Sequence, residues 1–181
     1  AQSYADHLGQ AILAPAGANS FAIGSDTLAQ RLSDEVVYHG QLGEDPYNMQ
    51  ITRMDSHGGW VATTIDLLRF LRTVDGFTPP ADLLTAANVA RMTTGCAANP
   101  KVALGWGVDG PGNWNHNGAL PGTLSLLKRY ANGIGQAALI NTRQPNTGAG
   151  NFQDIMMGDF YRMIDEVTNQ LAPLAPFDLF G

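Results

Sequence analysis

Thr123-Leu124-Ser125-Leu126-Leu127-Lys128-Arg129-Tyr130 and Gln136-Ala137-Ala138-Leu139-Ile140-Asn141-Thr142 are two apolar-rich runs of strand length, and Asn132-Gly133 lies between them. Asn-Gly accepts the positive φ that a tight hairpin turn needs, so the segment predicts two antiparallel strands joined by a turn. Upstream, Leu104-Gly105-Trp106-Gly107-Val108 reads as another strand, with glycines on one face. Downstream, Phe152, Ile155, Met156, Phe160, Met163, Ile164 and Val167 share one face of a helix running from about Phe152 to Gln170.

The first hundred residues have a different texture. Ser3 followed by Asp6 reads as a helix cap, with Tyr4, Leu8, Ala11 and Ile12 at helical spacing and Pro15 and Gly17 as the stop. Residues 18 to 57 hold no sustained period and read as a long irregular stretch, with one short strand at Val36-Val37-Tyr38. Thr63 with Asp66 opens a second helix, whose buried stripe is Leu67, Leu68, Leu71 and Val74 and whose end is Gly76. A third runs from Thr85 through Val89 and Met92 to Gly95. Helices, then antiparallel strands, then a helix make an α+β pattern rather than alternating βαβ units.

Composition narrows the function classes. Apolar residues make up 44 % of the 181, enough for a packed core. The formal net charge is −6 without a basic cluster, which argues against nucleic acid and anionic membranes as partners. No apolar stretch approaches the roughly 18 residues of a membrane span. Cys96 is the only cysteine, so an intrachain disulfide and a zinc site built on cysteine pairs are excluded. His7, His39, His57 and His116 are widely spaced and form no ligand motif, so neither a metal nor another cofactor is expected.

Four stretches, in order, carry a resemblance. They are Gln2–Ala5 through Ile12–Pro15, Gly58-Gly59-Trp60 through Phe70, Leu104–Gly107, and His116-Asn117-Gly118-Ala119-Leu120-Pro121-Gly122 with the hairpin to Ile140-Asn141. Each is a weak signal alone, but four in the right order with suitable spacing are specific. Together they resemble the C-terminal part of class C beta-lactamases and the penicillin-binding-protein-like serine hydrolases. His116, which opens the last of these stretches, resembles the esterase and D-aminopeptidase branch more than true beta-lactamases.

The resemblance implies the C-terminal portion of a beta-lactamase/transpeptidase-like fold, an antiparallel sheet flanked by helices. On that reading residues 1–181 are a single partial domain. Residues 1–100 are mainly helices and loops, 101–145 antiparallel strands and 150–170 a C-terminal helix. It also implies acyl-enzyme chemistry on an ester, amide or peptide-like small molecule. His116 then orients or polarises the substrate, and the Ala119 backbone N–H is one oxyanion-hole donor. Asn117, Gly118, His57 and Trp60 are implied to contact substrate, with Gly118 allowing close approach to the backbone.

The same resemblance puts the family's S-x-x-K and Y-x-N motifs upstream of Ala1. The expectation is therefore a cleft-lining half that is inactive in acyl transfer alone and that partners either the upstream half or a second copy of itself. The alternative expectation is a non-catalytic binding or structural module from the same family. Ser125-x-x-Lys128 matches S-x-x-K by letter, but in a strand the two side chains point to opposite faces. Asp55-Ser56-His57 holds the residue types of a triad, yet contiguous residues rarely reach triad geometry, and a polar loop is the preferred reading. Trp106, Trp114 and the helix-stripe Met residues are expected in the core, and Cys96 buried or half-exposed.

Overall fold

The computed structural model describes residues 2–143 and 155–170, with side chains in the last helix described from Gly158 onward. In chain order the elements are α1 (Tyr4–Leu8), β1 (Ala22–Ile23), β2 (Trp60–Val61), α2 (Thr64–Arg72), α3 (Ala86–Thr93), β3 (Gly107–Val108), β4 (Trp114–Leu120), β5 (Thr123–Arg129), β6 (Gly135–Ile140) and α4 (Ile155–Gln170). β3, β4, β5 and β6 form an antiparallel sheet in that order, and β1 pairs with β2 separately. No helix among the described residues is long and apolar enough to cross a membrane.

The hairpin forms as its sequence predicts. β5 and β6 pair from Leu124–Ile140 to Arg129–Gly135, and Gly133 takes the turn with a φ of +90°. The α2 entry also follows its sequence. Thr63 Oγ1 accepts the Asp66 N–H at 3.2 Å, occupying one of the helix's orphan donors. α3 is capped in the same way by Thr85, whose hydroxyl accepts from Asn88.

The sheet is covered on both faces. Along β5, Leu127 and Arg129 look toward α2 and α3, while Leu124, Leu126 and Lys128 look toward α4. On the first face Leu71, Val74, Val89, Trp106, Trp114 and Leu127 form one buried cluster. Each such aliphatic side chain contributes about 1.5–3 kcal/mol on burial. The indoles of Trp106 and Trp114 meet at 5.5 Å, as core residues. On the second face Lys128 pairs with Asp165 at 2.7 Å and Gln136 Nε2 donates to the Ile164 carbonyl.

Several expectations are corrected. Val36-Val37-Tyr38 is not a strand: both valines are exposed, and only His39 bridges Thr142 beside the end of β6. Leu104 stands 63 % exposed and Gly105 turns with a φ of +79°, so only Gly107 and Val108 pair. The first helix is α-helical only to Leu8 and widens into a π-type turn over Gly9–Leu13. In α4 the sheet-facing side holds Ile164, Asp165 and the buried Thr168, whereas Met163 and Val167 face outward. Phe152, the expected start of that helix, lies outside the described residues. Cys96 is exposed.

Candidate active site

β4 is the strand on which the site is built. It pairs with β5 along its whole length, His116 opposite Leu127, Gly118 opposite Ser125 and Ala119 opposite Leu124. On its other side β3 reaches only Trp114 and Asn115. From His116 to Leu120 that outer edge carries no strand among the described residues. Backbone direction follows from the pairing, because alternate residues of a strand aim N–H and C=O to the same side. The Asn113 carbonyl accepts from Asp109 on the β3 side. Four and six residues further, Asn117 and Ala119 turn their backbone groups outward past the end of β3. The Ala119 N–H therefore faces the open edge.

Side chains alternate along the same strand. Trp114, His116, Gly118 and Leu120 share the α2 face, and Asn115, Asn117 and Ala119 share the α4 face. His116 is exposed. Asn117 has its side chain on the opposite face, beside the Tyr161 phenol of α4, whose proton is held more tightly because the group is buried. Only its backbone is on the edge side. Gly118 has a local reason to lack a side chain: a Cβ there would lie 2.5 Å from Ser125 Oγ.

The loop before β2 closes one end of this strand. Met54 O accepts the N–H groups of His57 and Gly59, at 3.2 and 2.9 Å, and winds the loop tightly. Gly59 is required there, since a Cβ would fall 2.6 Å from the Ile51 carbonyl oxygen. A Cβ on Gly58 would stand 3.8 Å from Leu120 Cδ1, so the loop carrying His57 abuts the far end of β4. His57 is exposed. Trp60 is half-buried: its indole N–H donates to the Asp55 carbonyl at 2.5 Å and its ring meets Phe21 edge-on. Its donor is thus committed within the loop, leaving the ring for contact.

The structure brings His116, Gly118 and Ala119 together on one strand, with the His57 loop at its end. It separates Ser125 from Lys128, which lie on opposite faces of β5, with the ammonium held by Asp165. The sequence reading missed the braces of the long loop. Arg143 grips the Glu44 carboxylate through Nε, at 2.9 and 3.2 Å, and through Nη2. Gly122 in the β4–β5 turn packs against Pro46 and Tyr38. No local pattern marks partners 99 residues apart.

A family model described as Beta-lactamase matches residues 1–154. The chain belongs to the beta-lactamase family. That membership bears out the resemblance drawn from the four sequence stretches and relates the chain to serine hydrolases. Among solved structures, the crystal structure of D-amino acid amidase from Ochrobactrum anthropi SV3 is similar, with a TM-score of 0.69 and 21 % identity over 94 % of this chain. At that identity the likeness shows the shared fold. The chain spans about half of that structure's length, 52 %. A search of curated proteins returns no match.

Proposed function

We propose that this chain supplies the cleft strand and one oxyanion donor of a serine hydrolase that cleaves an amide or ester by acyl transfer. The observation that carries the reading is the open edge of β4 from His116 to Leu120, toward which the Ala119 N–H faces. A substrate laid along that edge accepts a hydrogen bond from Ala119 as its carbonyl gains negative charge, the point at which such a donor is worth most. His116, three positions earlier on the same strand, orients the acyl group. His57, at the end of the strand, and the Trp60 ring bound the acyl side. The similar D-amino acid amidase supports an amide as the substrate class.

We further propose that these 181 residues do not turn over substrate alone. The only S-x-x-K match is Ser125–Lys128, and its two side chains are parted by the sheet. Without a hydroxyl beside an amine, the donor stabilises an oxyanion that nothing here generates.

A complementation assay tests the proposal. A polypeptide carrying the family's S-x-x-K and Y-x-N segments is supplied in trans, and release of p-nitroaniline from an amino-acid p-nitroanilide is followed. Activity that needs both chains and falls about tenfold or more with His116→Ala supports it. Full activity of the mixture with His116→Ala removes the strand from the chemistry.

A further inference from the structure

Gly58 and Gly59 stand side by side in the loop before β2, and only one of them is dictated by the fold. At Gly59 a Cβ would meet backbone, 2.6 Å from the Ile51 carbonyl oxygen and 2.9 Å from that of Met54. At Gly58 no backbone is in the way. The nearest atoms to a Cβ there are two side-chain ends, Met54 Cε at 3.2 Å and Leu120 Cδ1 at 3.8 Å. Its φ also lies outside the left-handed region that favours glycine. A methionine tip gives way easily, so the loop accepts a side chain at 58.

What glycine leaves at this position is a gap. Gly58 is exposed, and the gap lies between the half-buried side chains of Met54 and Leu120. Trp60, two residues on, is half-buried too, with its indole N–H committed to the Asp55 carbonyl and Phe21 edge-on against its ring. The side chains nearest the gap are therefore apolar. Leu120 directly follows Ala119, and its side chain shares the face of β4 that carries His116 and Gly118. Consecutive Cα atoms are about 3.8 Å apart. A side chain on the carbon next to a carbonyl held by the Ala119 N–H is thus within a residue's length of the gap.

We propose that Gly58 sets the size of the acyl side chain that this site accepts. The gap between Met54 and Leu120 takes a branched or aromatic apolar side chain carried by the substrate. The inference rests on the reading of β4 as the cleft strand and adds a substrate class to it: an amide or ester of an acid with a bulky apolar side chain. A side chain placed on residue 58 fills the same space from the protein's side and shuts out the substrate's. Small acyl groups, which do not extend beyond Ala119, lose little.

The test uses the chain as it is, titrated with N-acetylphenylalaninamide and N-acetylalaninamide, each as both enantiomers, and followed by backbone amide NMR resonances. Both probes are uncharged, so they differ only in the side chain. Saturable shifts of Gly58, Ala119 and Leu120 are expected, with one enantiomer of the phenylalanine amide bound roughly tenfold more tightly than the alanine amide. Gly58→Val is expected to cut that preference to about twofold or less. Gly58→Ala, whose Cβ displaces only the Met54 tip, keeps the fold and is expected to lower it about threefold. A preference unchanged in the variants overturns the proposal, as does equal binding of the two amides by the parent chain; in either case shifts at Ala119 leave the cleft strand standing. No saturable shift at residues 116–120 up to about 50 mM removes the cleft strand itself, and the proposal with it.

Discussion

Ser125 Oγ fills the space in which a side chain on Gly118 would stand, 2.5 Å from the position of its first carbon. The two residues face each other across β4 and β5, on the face that carries His116. A side chain at 118 therefore requires the Ser125 hydroxyl to rotate away, the next contact being Ser125 Cβ at 3.8 Å. Gly118→Ala must turn the Ser125 hydroxyl aside and is expected to lose about 0.5–1.5 kcal/mol of stability. In the Gly118→Ala/Ser125→Ala pair the loss shrinks, with a coupling of at least about 0.5 kcal/mol in urea unfolding. Additive losses contradict this packing.

Asp66 is buried and accepts from the Ser20 N–H at 2.6 Å and from Arg69 at 2.7 Å. Burial alone raises a carboxyl, but these partners outweigh it and hold Asp66 below the usual carboxylate range. Its contribution is therefore present above the unfolded value near 3.9 and fades as pH falls through the lower folded value. Asp66→Asn is expected to cost about 1–3 kcal/mol at neutral pH, and the gap to the parent narrows below about pH 4. A gap that stays constant with pH rules out this account.

Glu44 and Arg143 tie the irregular stretch before β2 to the end of the hairpin, and both side chains are mostly buried. Removing one partner leaves the other charge uncompensated, so Glu44→Gln is expected to cost about 1–3 kcal/mol. Hydrogen exchange should quicken in residues 37–47 more than in β5. Equal acceleration in both segments indicates a global rather than a local brace.

On the other face of the sheet, Asp165 joins α4 to Lys128, while Tyr130 donates to the same carboxylate. The Asp165 side chain is 41 % exposed, so the pair is screened and worth roughly 1 kcal/mol or less. Asp165→Asn is expected to lower stability slightly, with the difference shrinking in about 1 M salt. A loss of several kcal/mol assigns α4 a larger share of the fold than this ion pair accounts for.

What could be read from residues alone was what is local. Asn132-Gly133 with its flanking apolar runs, and Thr63 with Asp66, carry their geometry within a few positions, and both recur in the structure. β4 has no such mark. Trp114-Asn115-His116-Asn117-Gly118 shows no clean alternation of apolar and polar residues, and its extension depends on pairing with β5. Only the resemblance at His116–Gly122 marks it. The valines at 36 and 37 misled because branched side chains suit strands, yet here they have no sheet face to join. In α4 a stripe of apolar spacing does not say which side meets the sheet. Lys128 and Gln136 decide that, through Asp165 and the Ile164 carbonyl.

The central proposal is that the chain presents a cleft strand with an oxyanion donor but no working nucleophile. Incubation with a fluorophosphonate and with a fluorescent penicillin, read by intact mass, tests it most directly. The account predicts no adduct with either reagent, because the Ser125 hydroxyl is separated from Lys128 by the sheet. A single stoichiometric adduct, mapped to Ser125 or to any other serine, would contradict it and identify these 181 residues as carrying their own catalytic centre.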